Sequence, residues 1–340
     1  MNGLPSAIVL VFAAGFDYLI GDPRGWIHPV SVMGRAIDLF RKFALSALEK
    51  PPPRRIAGAL AGAGLIIGSG TLSWLTFRWL TALSPAVSIP LQIVLLASCF
   101  AAKSLRDASI DVLVPLRDDD LDLARSRLSL YVGRDTENLS EGEILRAVLE
   151  TVSENAVDGV TAPLFYALLG AFIGIGPVPL AIAYKASSTL DSMLGYLREP
   201  YRDIGWFSAR TEDYLTWLPC RLTVLTLALL SGRPRSILAL CRRDAPRDPS
   251  PNSGWSECVY AAILGVRLGG KNSYRGVITE KPFLGDDIYS ITSEKIYQAL
   301  DLTRRCFLLW LTLSIVFLVL LEAFSFQSSA FGFGFSAATG

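Results

Sequence analysis

A single histidine, His28, and five cysteines with no CxxC spacing leave this 340-residue chain short of ligands for an ordinary zinc site. The cysteines, Cys99, Cys220, Cys241, Cys258 and Cys306, are scattered, so reduced thiols are expected instead of a disulfide framework. Charge is scarce too. Only 19% of residues are charged, and 32 Lys and Arg against 31 Asp and Glu leave a formal net charge of +1. That excludes a general nucleic-acid binder, which needs a basic excess against phosphates. No repeat of fixed period is present. What the chain has in quantity is hydrocarbon: 51% hydrophobic residues and a mean hydropathy of +0.40, too apolar for an ordinary soluble enzyme.

Several apolar stretches approach the roughly 20 residues that cross a bilayer. They run over 7–20, 56–83, 89–102, 162–183, 215–230 and 306–323, the last reading "CFLLWLTLSIVFLVLLEA". The first lacks a basic leader and holds Asp17 near its end, so it is expected to be a retained helix. The Gly/Ser/Phe-rich tail after Ser325 has no evident task. Basic residues Arg24, Arg35, Arg41, Lys42, Lys50, Arg54 and Arg55 put the first linker in the cytoplasm by the positive-inside rule. "GIGPVP" at 174–179 interrupts the fourth stretch, and Pro219 and Arg221 interrupt the fifth. Treating both as re-entrant keeps every polar loop on the cytoplasmic face. The expected fold is therefore all-α: one polytopic, membrane-embedded domain over 1–340 with short or re-entrant hydrophobic segments and polar cytoplasmic loops or helices.

One polar stretch poses a question. In "GRDTENLSEGEILRAVLETVSENAVDGV", helical spacing lines up Glu143, Glu150, Glu154 and Asp158 near one stripe, directly before an apolar run. Like charges one turn apart repel by a few tenths of a kcal/mol per pair. Either the stripe is a solvated face neutralised by Arg134 and Arg146, or it meets a cation.

Four polar blocks separate the hydrophobic ones, at about 17–35, 133–160, 184–215 and 242–287. They contain "DYLIGDPRGWIHPVSVMGR", the acidic stretch, "YKASSTLDSMLGYLREPYRDIGWFSARTEDYL" and "DPSPNSGWSECVYAAILGVRLGGKNSYRGVITEKPFLGDD". In this order they resemble the adenosylcobinamide-phosphate synthase family of cobalamin biosynthesis (CobD/CbiB), from about Asp17 to Asp286. The resemblance implies a multi-pass enzyme of the cell (inner) membrane. Such an enzyme uses ATP and Mg²⁺ to join adenosylcobyric acid, a corrinoid, to (R)-1-amino-2-propanol or its O-phosphate through an amide bond. The implied partners are those substrates, the lipid bilayer, and other late cobalamin-pathway membrane enzymes or a second copy of the chain.

That chemistry says which side chains to seek. A carboxylate must be activated by ATP before an amine attacks it, and phosphoryl transfer rests on positioning and charge neutralisation. Mg²⁺ takes one or two carboxylates, phosphate oxygens and water. Asp135, Glu137, Glu154 and Asp158 suit the metal, the last two matching the family string "ENxVDG". Lys185, Asp191, Asp203 and Arg210 are the catalytic candidates, with Lys185 and Arg210 also suited to phosphate. Arg134, Tyr196 and Arg202 are candidate substrate contacts. Trp206 faces either the corrin or the headgroups. Asn252 and Glu257 contact substrate amides or form a structural cap, and His28 is a packing residue or a substrate contact.

"GVRLGGKNS" nearly reads as a P-loop, but Asn272 stands where the metal-binding hydroxyl belongs and a helix-like run precedes it. The family match there rests on Gly269, Gly270 and Asn272, whose backbone can still meet a phosphate; Lys271 is not required. Two rival readings are a broken-helix secondary transporter and a non-catalytic subunit of a cobalamin-assembly complex. Ionisable residues concentrate beside the apolar stretches instead of inside them, which favours an enzyme.

Overall fold

The computed structural model describes residues 3–21, 28–48, 50–196 and 198–332, with side chains to 323. Residues 22–27 of the first polar block and the tail from 333 lie outside them. In chain order the helices are α1 (Gly3–Leu19), α2 (Pro29–Ala47), α3 (Pro51–Leu83), α4 (Pro85–Ala97), α5 (Ala102–Arg117), α6 (Leu121–Leu128) and α7 (Glu141–Asn155). A π-helical turn over Ala156–Thr161 leads into α8 (Ala162–Phe172), α9 (Pro177–Leu194), α10 (Tyr201–Ile204) and α11 (Trp206–Leu230). Then come α12 (Pro234–Asp244), α13 (Ser253–Leu264), the strands β1 (Leu268–Tyr274) and β2 (Val277–Leu284), and α14 (Ser293–Gly332).

Proline starts many of these helices. α2, α3, α4, α9 and α12 each carry Pro in the first turn, where its missing N–H has no intrahelical acceptor to lose. Among the described residues, three segments are long and apolar enough to cross a membrane: Pro51–Leu83, Pro85–Arg117 and Ser293–Ala323. The second comprises α4 and α5 with a turn at 98–101 between them. Only 22% of the apolar window of α3 is buried, so its Leu60, Ile67, Leu72 and Trp79 face outwards, as lipid-facing side chains do. The chain is an all-α membrane protein in architecture, and among the described residues the departure from it is the hairpin of β1 and β2.

The chain divides into two compact units. The first comprises 1–100, 163–207 and 308–340. Its core forms where Ile37 of α2 meets Leu190 and Leu194 of α9, with Phe40, Leu65 and Met193 around them. Small residues let α3 approach closely: a Cβ on Gly58 would lie 2.0 Å from the Ile204 carbonyl oxygen, and one on Gly70 3.1 Å from Ala183 Cβ. The "GIGP" break occurs as the sequence indicates. α8 and α9 reverse there, with Gly174 and Gly176 at positive φ and Tyr166 stacked on Tyr184 at 5.0 Å. The expected interruption at Pro219 does not occur. α11 continues for 25 residues, and the Thr223 hydroxyl donates to the Pro219 carbonyl at 2.9 Å.

The second unit comprises 101–162 and 208–307. β1 and β2 pair antiparallel, with Gly270 opposite Lys281, Asn272 opposite Thr279 and Tyr274 opposite Val277. The turn is Arg275-Gly276, both at positive φ, the two-residue connection whose twist matches a hairpin. The register shifts between Leu268 and Gly270, and a Cβ on Gly269 would lie 2.1 Å from the Pro282 oxygen. Only glycine fits there. Ser256 Oγ on α13 donates to the Ser153 carbonyl of α7 at 2.7 Å, tying the two helices together. All five cysteines are buried and none forms a disulfide.

Candidate active site in the second unit

The acidic helix α7 resolves its four aligned carboxylates into different environments. Glu143 closes a capping box: its Oε2 accepts from Ser140 N at 2.8 Å and from Ser140 Oγ at 2.7 Å. Those bonds from Ser140 hold its carboxyl below the ordinary range. Glu150 is only 2% exposed and is a hub. It accepts from Arg134 Nη2 at 2.5 Å, from Arg146 Nη1 at 3.1 Å and from Gly269 N at 3.0 Å. Arg134 and Arg146 do neutralise it, but in a buried cluster instead of on a solvated face. Both guanidinium groups also donate to Asn272 Oδ1, at 2.9 and 3.1 Å, and Arg146 reaches the Gly269 and Lys271 carbonyls. One carboxylate thus fastens α7, the 134 loop and β1 together.

Glu154 lies one turn further on. Burial pushes its carboxyl above the ordinary range; Lys281 opposes the rise, and Asp248 and Glu150 add to it. Asp158 follows on the π-helical turn, half-buried. Opposite them, Glu257 of α13 is wholly buried, with Oε1 3.5 Å from Lys281 Nζ and no partner for Oε2. Burial pushes the Glu257 carboxyl up to about 8 despite Lys281, with Glu154, Glu150 and Asp248 adding to the rise. For the Lys281 ammonium, burial works downwards, but Glu257 and Glu154 outweigh it and hold its pKa above the usual lysine value. The result is an acid–base cluster in which wholly buried Glu257 is coupled electrostatically to half-buried Glu154 and Lys281.

The remaining sequence candidates separate. Asp135 accepts from Gly276 N and Arg275 N at 2.8 Å and from Ser273 Oγ at 2.6 Å, so it anchors the hairpin turn. Glu137 is exposed. Among the described residues no group of three or more His, Cys, Asp or Glu is placed to hold a metal, so the four metal candidates do not converge. Glu154 and Asp158 still offer the one or two carboxylates that Mg²⁺ takes alongside phosphate oxygens and water; Asp135 and Glu137 do not join them. Asn252 is buried, with Nδ2 donating to the Asp213 carbonyl at 2.8 Å.

Gly269 and Gly270 lie in a strand, not a phosphate loop, and the Gly269 N–H is engaged by Glu150. They line an open groove of about 500 Å³ with Arg146, Arg267, Lys271 and Phe283. Arg210, exposed on α11, stands 4.0 Å from Asp213. The others belong to the first unit. His28 caps α2, its Nδ1 accepting from Val30 N at 3.2 Å. Lys185 and Asp191 are half-buried on α9, and Asp203 on α10 is half-buried beside exposed Arg202. The Tyr196 hydroxyl donates to the Ser192 carbonyl at 3.0 Å. Trp206 carries the Arg55 guanidinium 3.8 Å from its ring centre.

Sequence reasoning missed Lys281, Asp248 and the buried role of Arg146. Arg146 and Glu150 are spaced i, i+4 and could have been paired. Lys281 becomes legible only once Val277–Leu284 is read as a strand.

The family described as CobD/Cbib protein matches residues 10–303. The cobalamin biosynthesis protein CobD of Synechocystis is 53% identical over 329 residues, covering 96% of each chain. CobD of Halalkalibacterium halodurans is 40% identical, covering 93% of this chain and 97% of its own. CbiB of Salmonella typhimurium is 37% identical over 90% of this chain and 94% of its own. No solved structure matches.

Proposed function

Since the chain belongs to the CobD/CbiB family of cobalamin biosynthesis proteins, we propose that it is the membrane synthase that makes an amide between adenosylcobyric acid and (R)-1-amino-2-propanol or its O-phosphate, using ATP and Mg²⁺. The observation that carries this reading is the cluster of wholly buried Glu257 with half-buried Glu154 and Lys281 beside the Glu150 hub. Amide formation needs an activated carboxyl, a deprotonated amine, and a place that excludes water from the activated acyl group. A carboxylate raised by burial is suited to accept an ammonium proton near neutral pH.

In this proposal Glu154 and Asp158 hold the metal. Mg²⁺, when bound, neutralises phosphate oxygens and lowers the charge barrier to phosphoryl transfer. Glu257 takes the proton from the amine and Lys281 keeps its carboxyl oriented. The open groove bearing Arg146, Arg267 and Lys271 suits an anionic group. Lys185, Asp191, Arg202, Asp203 and Arg210 remain proposed contacts for phosphate or corrin carboxamides. The polar loops are proposed to face the cytoplasm, where ATP is supplied.

The metal assignment is tested by Glu154→Gln and Asp158→Asn. Both variants are expected to insert in the membrane normally and to lose turnover, with partial recovery when Mn²⁺ replaces Mg²⁺. Near-normal activity in both would remove the acidic stripe from the mechanism.

A further inference from the structure

Among the described residues, eight buried side-chain polar atoms have no hydrogen-bond partner, and five belong to the second unit's polar cluster. They are Arg134 Nε, Asp248 Oδ2, Asn252 Oδ1, Glu257 Oε2 and Asn272 Nδ2. A buried polar atom without a partner keeps its desolvation cost uncompensated, so five in one region point to a ligand that supplies the partners. The amide orientations are fixed by their other bonds. Asn272 Oδ1 accepts from both arginines, which leaves its Nδ2 as the open donor. Asn252 Nδ2 donates to the Asp213 carbonyl, which leaves its Oδ1 as the open acceptor.

Sorted by chemistry, the five atoms divide by segment. The stretch 248–257 presents three acceptors, and Arg134 with Asn272 presents two donors. Asn272 and Lys281 lie on one face of the hairpin, because Gly270 pairs with Lys281 and Asn272 with Thr279. Lys281 Nζ lies 3.5 Å from Glu257 Oε1, which brings the Glu257 end of the acceptors to that face of the hairpin. Burial raises the carboxyls of Glu154 and Glu257, and Lys281 opposes the rise in both.

We propose, resting on the amide-synthase reading, that these groups seat the amine substrate, its ammonium end on Glu257, Asp248 and Asn252 and its oxygen-bearing end on Arg134 and Asn272. A three-carbon amino alcohol or its phosphate monoester carries the two kinds of polar end that these acceptors and donors complement. A metal ion does not suit the same acceptors, because no three carboxylates converge there and Lys281 already occupies one Glu257 oxygen. Lys281 is then a positioning residue, leaving Oε2 directed at the ligand. When the amine reacts, its ammonium proton passes to Glu257. The nitrogen then forms the C–N bond as the C–O bond to the activating phosphoryl group breaks, and the second N–H proton leaves with that phosphate.

The test is calorimetric titration of the full chain in detergent, without ATP or corrinoid. The probes are 1-amino-2-propanol O-phosphate, 1-amino-2-propanol, and 2-propyl phosphate, which lacks the amine. Glu257→Gln is expected to weaken both amine probes roughly tenfold or more and to leave 2-propyl phosphate unchanged. Asn272→Ala should weaken the two phosphates more than the free amino alcohol. Should Glu257→Gln not fold, Asp248→Asn acts on the same end of the ligand and carries the same expectation. Wild-type binding of all three probes retained in these variants, or no binding by the wild type, overturns the proposal. So does Mg²⁺ alone binding to the wild type and being lost in Glu257→Gln. The two readings fail separately. Amide formation with an unchanged KM for the amine in Glu257→Gln sinks this site and spares the function. Amine binding as described, with no amide formed from ATP and corrinoid, does the reverse.

Discussion

Replacing Glu150 by alanine should loosen the hairpin from α7. The carboxylate is only 3% exposed and is met by Arg134 and Arg146, which are 7% and 14% exposed. Removing one partner of a buried ion pair costs about 3–5 kcal/mol, because the charges left behind remain desolvated. The Gly269 N–H is orphaned as well, at about 1–3 kcal/mol. The two costs overlap, since both arginines keep Asn272 Oδ1 and Arg146 keeps two backbone carbonyls. A net loss of about 3–4 kcal/mol is expected, or roughly two to three powers of ten in the local opening equilibrium. Hydrogen exchange followed by mass spectrometry reads this directly in a peptide covering β1 and β2. Its protection should fall by about a hundredfold or more in Glu150→Ala and by less in Glu150→Gln, which keeps an acceptor for Gly269. In the double variant Arg134→Met, Glu150→Gln, the losses should be less than additive. Hairpin exchange within about threefold of wild type in Glu150→Ala would refute the hub.

Two pH dependences follow from the carboxyls. Asp135 is held below the ordinary range by the Gly276 N–H first, then by the Ser273 hydroxyl and the Arg275 N–H. Its folded pKa lies below its unfolded one, so its contribution is present above the usual aspartate pKa and is lost as pH falls through the folded value. Asp135→Asn should flatten that acid limb of hairpin protection, and an unchanged limb would remove Asp135 as the turn's anchor. Glu257 has the opposite sign. Its folded carboxyl is raised from 4.5 to about 8, so the folded state binds the extra proton between those values. The associated stability is complete below the unfolded pKa and is lost as pH rises towards 8. Glu257→Gln should remove that downward slope in melting temperature between about pH 5 and 8, and a slope that persists would place the titration elsewhere.

Much of the helical framework was legible before any coordinates, for local reasons. Pro51, Pro85, Pro177 and Pro234 mark helix starts because the ring fits only the first turn, and "GIGP" marks a reversal because glycine supplies positive φ. Pro219 misled because its neighbours keep α11 intact, which residue type alone does not reveal. The acidic stripe was placed correctly on one helix, yet its members do different work according to what other elements bring to them. Glu143 meets Ser140 three residues away, a pairing visible in "SEGE". Glu150 meets Arg134 and Gly269, 16 and 119 residues away, which spacing cannot show. The hairpin was overlooked because "GVRLGGKNS" was weighed as a phosphate loop, although "NSYRGVIT" carries a two-residue turn between strand-forming residues. Once that strand is missed, Lys281 has no face, and the partner of Glu257 disappears with it.

The central claim is that this chain itself forms the amide. Purified in detergent and given adenosylcobyric acid, 1-amino-2-propanol or its O-phosphate, ATP and Mg²⁺, it should yield a corrinoid heavier by the amine less one water, as read by mass spectrometry. The yield should depend on ATP and disappear in Glu154→Gln. Intact adenosylcobyric acid after incubation of folded protein with both amines would contradict the account and return the chain to a transport or assembly role.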